Sequence, residues 1–445
     1  MQYSTFAAID IGSYDVILEI FEISKKQGIR SVDKICHRME LGKDTYTLGK
    51  IRPEMEEELC RVLADFVRIM EGYRVDDYRA TASSAISEAS NSLYVLGKIH
   101  QLTGLSVTVL SNSEQRFLSY KALAAMEDNF NKIIEKGTAI LDLDGGSFQI
   151  SLFDKDALVT TQNIRMGSLR IRERLAGIQS ETEHYEEMVE ELIWNEVSSF
   201  KKMYLKDRKI ENIMLIGDVF TDSVYQNIEE KTTKIISREN FNTWYEKIIR
   251  QSPMELAVKL GIPLENASLM YPSAVIYKCL IDMMGAEHIW IPGVHMTRGI
   301  AYEYAEQMKL LKGGHNFEND ILMAAKNIGK RYAVNRPHVQ NLEMTALAMF
   351  DATKKMHGMK ERERLLLQMA VMLHDVGKYI SFNNVADSSY NIIMSNEIIG
   401  LSHIEREMVA LIARYNTVTL PSYDELVMDC LLYTSPSPRD ISGSR

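Results

Sequence analysis

The chain contains no uninterrupted apolar run of the roughly eighteen residues that a membrane-spanning helix needs, which excludes a helical membrane protein. Its opening, MQYSTFAAID, lacks the basic stretch and cleavage site of a secretory leader. A cytoplasmic location is the expectation. Cysteine is scarce: Cys36, Cys60, Cys279 and Cys430 share no CxxC spacing. Neither a disulfide framework nor a zinc knuckle is expected, and the thiols read as reduced. A surplus of positive charge is also missing. Lys and Arg number 51 against 61 Asp and Glu, a net charge of −10, which argues against general nucleic-acid binding. A local basic cleft can still focus potential on a polyanion inside an acidic protein. At 445 residues the chain has room for two or three domains.

What is present is an alternation of strands and helices. AAIDIGSYDVILEIFEI reads as a β-run interrupted by Gly12 and Ser13. RPEMEEELCRVLADFVRIMEGY follows, with Leu59, Val62, Leu63, Phe66, Val67 and Met70 on one helical face. YRATASS is a short strand leading to a helix near Ala85, and GLSVTVLSNSEQRFLSYKALAAM repeats the theme with Ser113 as the expected N-cap. The α/β pattern continues through NIMLIGDVF, a buried strand ending on Gly217. Such alternation predicts a largely parallel core. Beyond KGGHNFEND, with Gly313 and Gly314, residues 317–415 read as almost pure helix. The last stretch, LLYTSPSPRDISGSR, has no periodicity and is excluded from the expected fold as non-native in character.

One feature recurs. IDIGSYDVIL and LDLDGGSFQISL each carry an apolar–Asp–apolar strand end, a Gly/Ser turn, an aromatic and a second apolar strand. The recurrence reads either as an internal duplication or as two ordinary β-turns. Gly/Ser turns suit a phosphate because backbone N–H groups can close on its oxygens with no Cβ in the way. The candidate phosphate ligands are Gly12, Ser13 and Tyr14 in the first turn, and Asp144, Gly145, Gly146 and Ser147 in the second. Asp10 and Asp142, at the strand ends, offer carboxylate oxygens to a divalent cation such as Mg²⁺.

Five motifs in order resemble the exopolyphosphatase / guanosine pentaphosphate phosphatase family of the sugar-kinase–Hsp70–actin superfamily. AIDIGSYD is similar to that family's Asp-x-Gly-Ser-Asn, and ASSAISEASN to its Ala-Thr-Ser-Ala-x-Arg-Glu-Ala-x-x-Asn. SNSEQRF loosely matches Ser-Gly-x-Glu-Glu-Ala, DLDGGSFQ matches Asp-x-Gly-Gly-Gly-Ser-Thr-Glu, and RMGSLRIRERL carries the Met-Gly with its following Arg and Glu-Arg. The resemblance implies an α/β fold of two actin-like (ASKHA, ribonuclease H-like) domains, 1–125 and 126–308, followed by an all-α HD-like domain, 315–430, and the tail 431–445. It implies in-line attack of water on a terminal phosphate held by the two turns. Glu114 is then the water-orienting base, and Gln149 stands where the second motif ends on glutamate. Taken alone, Glu114 reads as a first-turn residue complementing the helix dipole.

The sequence departs from the family where phosphate is handled. Ser87 replaces an arginine, Asp144 a glycine, Gln149 a glutamate and Tyr14 an asparagine. One lost charge-assisted contact at such a site costs roughly 2–4 kcal/mol of transition-state stabilisation. Arg79, Arg165, Arg170, Arg172 and Arg174 are candidates to compensate. In the helical region, RPHVQNLEM and AVMLHDVGKYIS resemble the His…His-Asp signature of metal-dependent phosphohydrolase (HD) domains, with His338, His374 and Asp375 as ligands and Lys378 following. The further aspartate such a site needs has no counterpart, since Asp424 and Asp429 lie in the wrong context. The expectation is a domain kept for structure, with His338 and His374 in its core and His403 on a helix surface; the metal reading stands beside it.

The resemblance thus implies an exopolyphosphatase acting on inorganic polyphosphate with a divalent metal. Guanosine pentaphosphate is the alternative substrate, and pairing through the helical domain into a homodimer is expected. The departures fit a second class, a catalytically weakened sensor of polyphosphate or guanosine nucleotides. A sugar-kinase-like enzyme using ATP fits less well, because LIGDVF lacks the paired glycines of an adenosine site.

Overall fold

The computed structural model describes residues 3–126, 130–155, 157–176, 185–227, 234–311, 315–416, 418–420 and 422. Gly313, Gly314, Asp424, Asp429, Cys430 and the 431–445 tail lie outside the described residues. Two compact units emerge, one of residues 1–324 with 397–403, the other of 325–396 with 404–445. The chain passes between them inside the helix Phe317–Arg331.

The first unit holds two sheets. Strands β1 (Ser4–Ile11), β2 (Asp15–Ser24), β3 (Gly28–Arg38), β4 (Asp77–Ala82) and β5 (Val107–Val109) form one, in the order β3-β2-β1-β4-β5. Strands β6 (Thr138–Leu143), β7 (Phe148–Asp154), β8 (Ala157–Ile164), β9 (Asn212–Ile216), β10 (Ile235–Ser237) and β11 (His288–Trp290) form the other, in the order β10-β11-β9-β6-β7-β8. Each is built alike. A three-strand antiparallel meander, β1-β2-β3 or β6-β7-β8, runs from the first strand to one edge. Parallel strands, β4 then β5 or β9 then β11, extend it on the other side.

Burial on both faces explains the near-continuous apolar runs. On β1, Ala7, Ile9 and Ile11 pack into a cluster with Leu59, Leu63 and Phe66 of the helix Pro53–Gly72. Phe6 and Ala8 face the opposite cluster with Leu118, Ile300 and Tyr304, where the Phe6 and Tyr304 rings stack at 4.1 Å. The helix Met296–Gln307 follows the second sheet in the chain yet packs its apolar face against the first. Order along the chain, on which the 126–308 division rests, carries no trace of that return.

The helix Asn112–Met126 is capped by Ser111 rather than Ser113. Ser111 Oγ accepts from the Glu114 N–H at 3.2 Å while Glu114 Oε2 accepts from the Ser111 N–H at 2.8 Å, the reciprocal capping box that S-x-x-E spacing allows. Ser113 instead donates to Glu397 Oε2 at 2.9 Å. Cys36, Cys60 and Cys279 are free thiols. Among the described residues no helix is long and apolar enough to cross a membrane.

The second unit is helical, with helices Arg336–Ala352, Glu361–Leu373, Val385–Ser395 and His403–Arg414 around a core that includes Leu365, Met369, Leu373, Ile393 and Val409.

Candidate functional site

Register places the two strand-end aspartates equivalently. Asp10, next to last on β1, lies opposite Ile17 of β2 and Thr81 of β4. Asp142, next to last on β6, lies opposite Gln149 of β7 and Ile216 of β9. The glycine after β9 is required by this crowding: Gly217 has φ +101°, and a Cβ there would meet Asp142 Oδ1 at 2.5 Å and the Leu143 carbonyl at 2.7 Å.

The turns that follow β1 and β6 close on themselves and on each other. The Gly12 N–H donates to the Asp15 carbonyl at 2.8 Å, and the Asp144 N–H to the Ser147 carbonyl at 2.9 Å. A Cβ on Gly145 would lie 3.2 Å from the Ser13 Cβ, so the turns are in contact. The Tyr46 hydroxyl bridges Ser13 Oγ and Ser84 Oγ, 2.8 Å from each, and fills the space over Gly146. Beside this contact opens a cavity of about 160 Å³. Gly12, Tyr14 and Asp144 line it together with Asp10 and Asp142. Ser13, Gly145, Gly146 and Ser147 do not: Ser13 and Gly145 pack turn against turn, Tyr46 covers Gly146, and Ser147 Oγ accepts from Arg116.

The cavity is acidic at its floor. Burial pushes Asp10 well above the usual carboxylate range, helped by the negative charges of Asp15 and Asp144. Burial likewise raises Asp15 to about 6, against the pull of Arg38, whose Nη1 lies 2.8 Å from its Oδ2. Asp144 is raised by burial and partly restrained by Arg116. Asp10 Oδ1 and Asp142 Oδ2 are buried without a hydrogen-bond partner. Unpartnered carboxylate oxygens are the hard donors Mg²⁺ takes, so the donor set fits a divalent cation.

Several expected residues stand elsewhere. Glu114 spends its carboxylate on the helix cap and does not line the cavity. Gln149 is 1% exposed, with Nε2 unpartnered, and does not line it either. Ser87 is exposed to solvent. The compensating arginines are spent on carboxylates: Arg79 on Glu303 at 2.8 Å, Arg170 on Glu88 at 3.0 Å and Arg172 on Glu40 at 2.8 Å. Arg170 also stacks 3.8 Å over the Tyr46 ring. Arg165 and Arg174 are exposed.

The cations that line the cavity are Lys34, Arg38 and Arg116. Lys34, Cys36 and Arg38 alternate along β3, and Asp15 lies directly opposite Arg38 across the ladder. That alternation was the sequence signal for them. Arg116 is 6% exposed. Its Nη1 lies 3.0 Å from Asp142 Oδ1, its Nη2 donates to Ser147 Oγ at 3.1 Å, and its Nε has no partner. Burial works against its charge, but Asp142 and Asp144 outweigh that and raise its pKa. The signal for Arg116 was its place in SNSEQRF, where the resembling motif has alanine.

In the second unit His338, His374 and Asp375 bring ligand atoms within 4.8 Å of one another. His374 and Asp375 are buried, but His338 is exposed in the first turn of its helix. The expectation of His338 as a core residue is thereby corrected: Asn335 caps that turn, accepting from the His338 N–H at 3.3 Å, and the imidazole stays at the surface. His374 Nδ1 lies 2.7 Å from the Val371 carbonyl, and Asp375 Oδ2 accepts from Lys378 at 2.7 Å. His403 is exposed, as expected.

Comparison with known proteins agrees with this architecture. Residues 20–308 match the Ppx/GppA phosphatase family and residues 322–427 match Ppx/GppA phosphatase, domain III. The chain is 18% identical to the guanosine-5'-triphosphate,3'-diphosphate pyrophosphatase of Vibrio atlanticus, over 94% of this chain and 82% of that protein. It is 21% identical to the bifunctional 3-dehydroquinate synthase/phosphatase of Fusobacterium nucleatum over 64% of this chain, spanning 44% of that larger protein. An exopolyphosphatase structure from Cytophaga hutchinsonii shares the fold, with a TM-score of 0.61 and 17% identity over 68% of this chain and 98% of that one. With two actin-like halves meeting at paired strand-end aspartates and a match across most of its length, the chain belongs to the Ppx/GppA phosphatase family.

Proposed function

We propose that this protein is a metal-assisted phosphoanhydride hydrolase that releases terminal phosphate from inorganic polyphosphate. One arrangement carries the reading: the unpartnered oxygens of Asp10 and Asp142 belong to residues lining a cavity that Lys34, Arg38 and Arg116 also line. Lys34 and Arg38 draw a polyanion toward the cavity. Asp10 and Asp142 would hold Mg²⁺, which when bound supplies positive charge to a phosphoryl oxygen. Asp15, raised to about 6 and lining the cavity where Glu114 does not, takes a proton from water near neutral pH.

A second cavity of about 360 Å³ shares Tyr14 and Arg38 with the first and is walled by Met39, Pro263 and Leu269. Its apolar walls, with Asn266 and Glu265 as polar partners, suit a nucleobase and favour guanosine pentaphosphate as the competing substrate. The neutral Gln149 and exposed Ser87 favour the sensor reading.

The test is phosphate release from long-chain polyphosphate with Mg²⁺, run beside guanosine pentaphosphate, for the parent chain, Asp15→Asn and Glu114→Ala. Release that is lost in Asp15→Asn and kept in Glu114→Ala is expected. Release abolished by Glu114→Ala in a folded protein returns the base to Glu114. No release from either substrate removes the hydrolase, and polyphosphate still bound then leaves the sensor.

A further inference from the structure

We propose that Arg116 is a built-in phosphate anchor, which lets this cavity bind a phosphoanhydride without a divalent cation. The inference rests on the reading of the cavity as a phosphoanhydride site. A guanidinium is an expensive way to fill a core, since a buried charge must be paired and hydrogen-bonded to be tolerated. Arg116 has one carboxylate and one hydroxyl, on the first strand and the closing residue of the second turn. Those bonds use two of its five N–H groups, and the Nε is left buried without a partner.

The pairing also bears on the metal. Asp142 Oδ1 is held by the guanidinium and only Oδ2 is free. A cation bound to that carboxylate would share it with a fixed positive charge close by, and like charges at short range in a buried site repel strongly. A guanidinium supplies what a metal supplies to a phosphate, positive charge and directed contacts, with a fork that matches phosphate oxygens in pairs. The other two cations of the cavity, Lys34 and Arg38, lie on β3, and Arg38 is tied to Asp15. Arg116 is the cation fixed directly to both elements of the second turn.

The experiment is calorimetric titration of the full chain with inorganic tripolyphosphate, in EDTA and in Mg²⁺, with phosphate release followed alongside. The parent chain is expected to bind in EDTA. Arg116→Ala is expected to lose at least about tenfold in EDTA, the size of one charge-assisted hydrogen bond, and to recover part of that loss in Mg²⁺. Arg116→Lys, keeping charge without the fork, is expected to fall between. Should Arg116→Ala fail to fold, Arg116→Gln with Asp142→Asn removes both charges while leaving a hydrogen-bonding group at each position, and its metal-free binding decides instead. Parent binding that vanishes in EDTA, or metal-free binding unchanged in the neutral variant, overturns the anchor while the hydrolase reading stands. No binding with or without Mg²⁺ overturns both.

Discussion

Asp10 and Asp142 occupy the same place in two sheets of the same design, yet their surroundings differ. Asp10 has an unpartnered oxygen, and burial, with the charges of Asp15 and Asp144, pushes it well above the usual carboxylate range. Asp142 is paired to a buried arginine delivered by a helix from the other half of the unit. The difference teaches that backbone position sets where a carboxylate stands, while its charge is decided by what the rest of the chain brings alongside.

Breaking the Asp142 pair gives the largest expected effect. Arg116→Leu leaves a buried, uncompensated carboxylate and should cost about 3–5 kcal/mol by urea denaturation. A loss under about 1 kcal/mol would mean that the pair contributes little to stability. The next effect is a pH dependence. Burial raises Asp218 to about 7, so the folded state holds its proton where the unfolded chain has released it. Stability from this group is complete below about pH 4 and is lost as pH rises through about 7. The span is at most about 4 kcal/mol. Denaturation between pH 4 and 8 should show the fall, and Asp218→Asn should flatten it.

The turns can be compared in the same way. Gly146→Ala drives a Cβ into the Tyr46 and Ser84 hydroxyls, whereas Gly12→Ala meets the Asp15 carbonyl at 3.0 Å. Overpacking of the first kind costs about 1–3 kcal/mol, and the melting temperature of Gly146→Ala should fall below that of Gly12→Ala. Glu114→Ala should cost about 1 kcal/mol through the lost cap, read as a lower urea midpoint with phosphate release retained. Smallest is Asp10→Asn: burial and neighbouring negative charge disfavour the ionised acid, so stability at pH 7 without metal should stay level or rise slightly, while a drop like that of Arg116→Leu would erase the contrast between the two aspartates.

Much of the fold was legible. The apolar–Asp–apolar ends and Gly/Ser turns marked β1-β2 and β6-β7, because strand periodicity and turn chemistry are local. The return of the helix Met296–Gln307 to the first sheet was not, since packing partners distant in sequence leave no local mark. The site was half legible. Asp10, Asp142, Gly12, Tyr14 and Asp144 do meet at one cavity. Glu114 followed its local rule and capped its helix, and the arginines near the second turn found nearer carboxylates.

The sequence by itself determined the alternating strands and helices, the two matched turns and the helical region after them, since each depends on residues a few positions apart. Tertiary structure alone decided that Arg116 rather than Arg79 or Arg170 reaches the cavity, that Asp142 is paired with a guanidinium while Asp10 keeps an unpartnered oxygen, and that Tyr46 seals the turns. Those outcomes depend on distances and desolvation among residues from separate elements, and these come into being only when the elements pack.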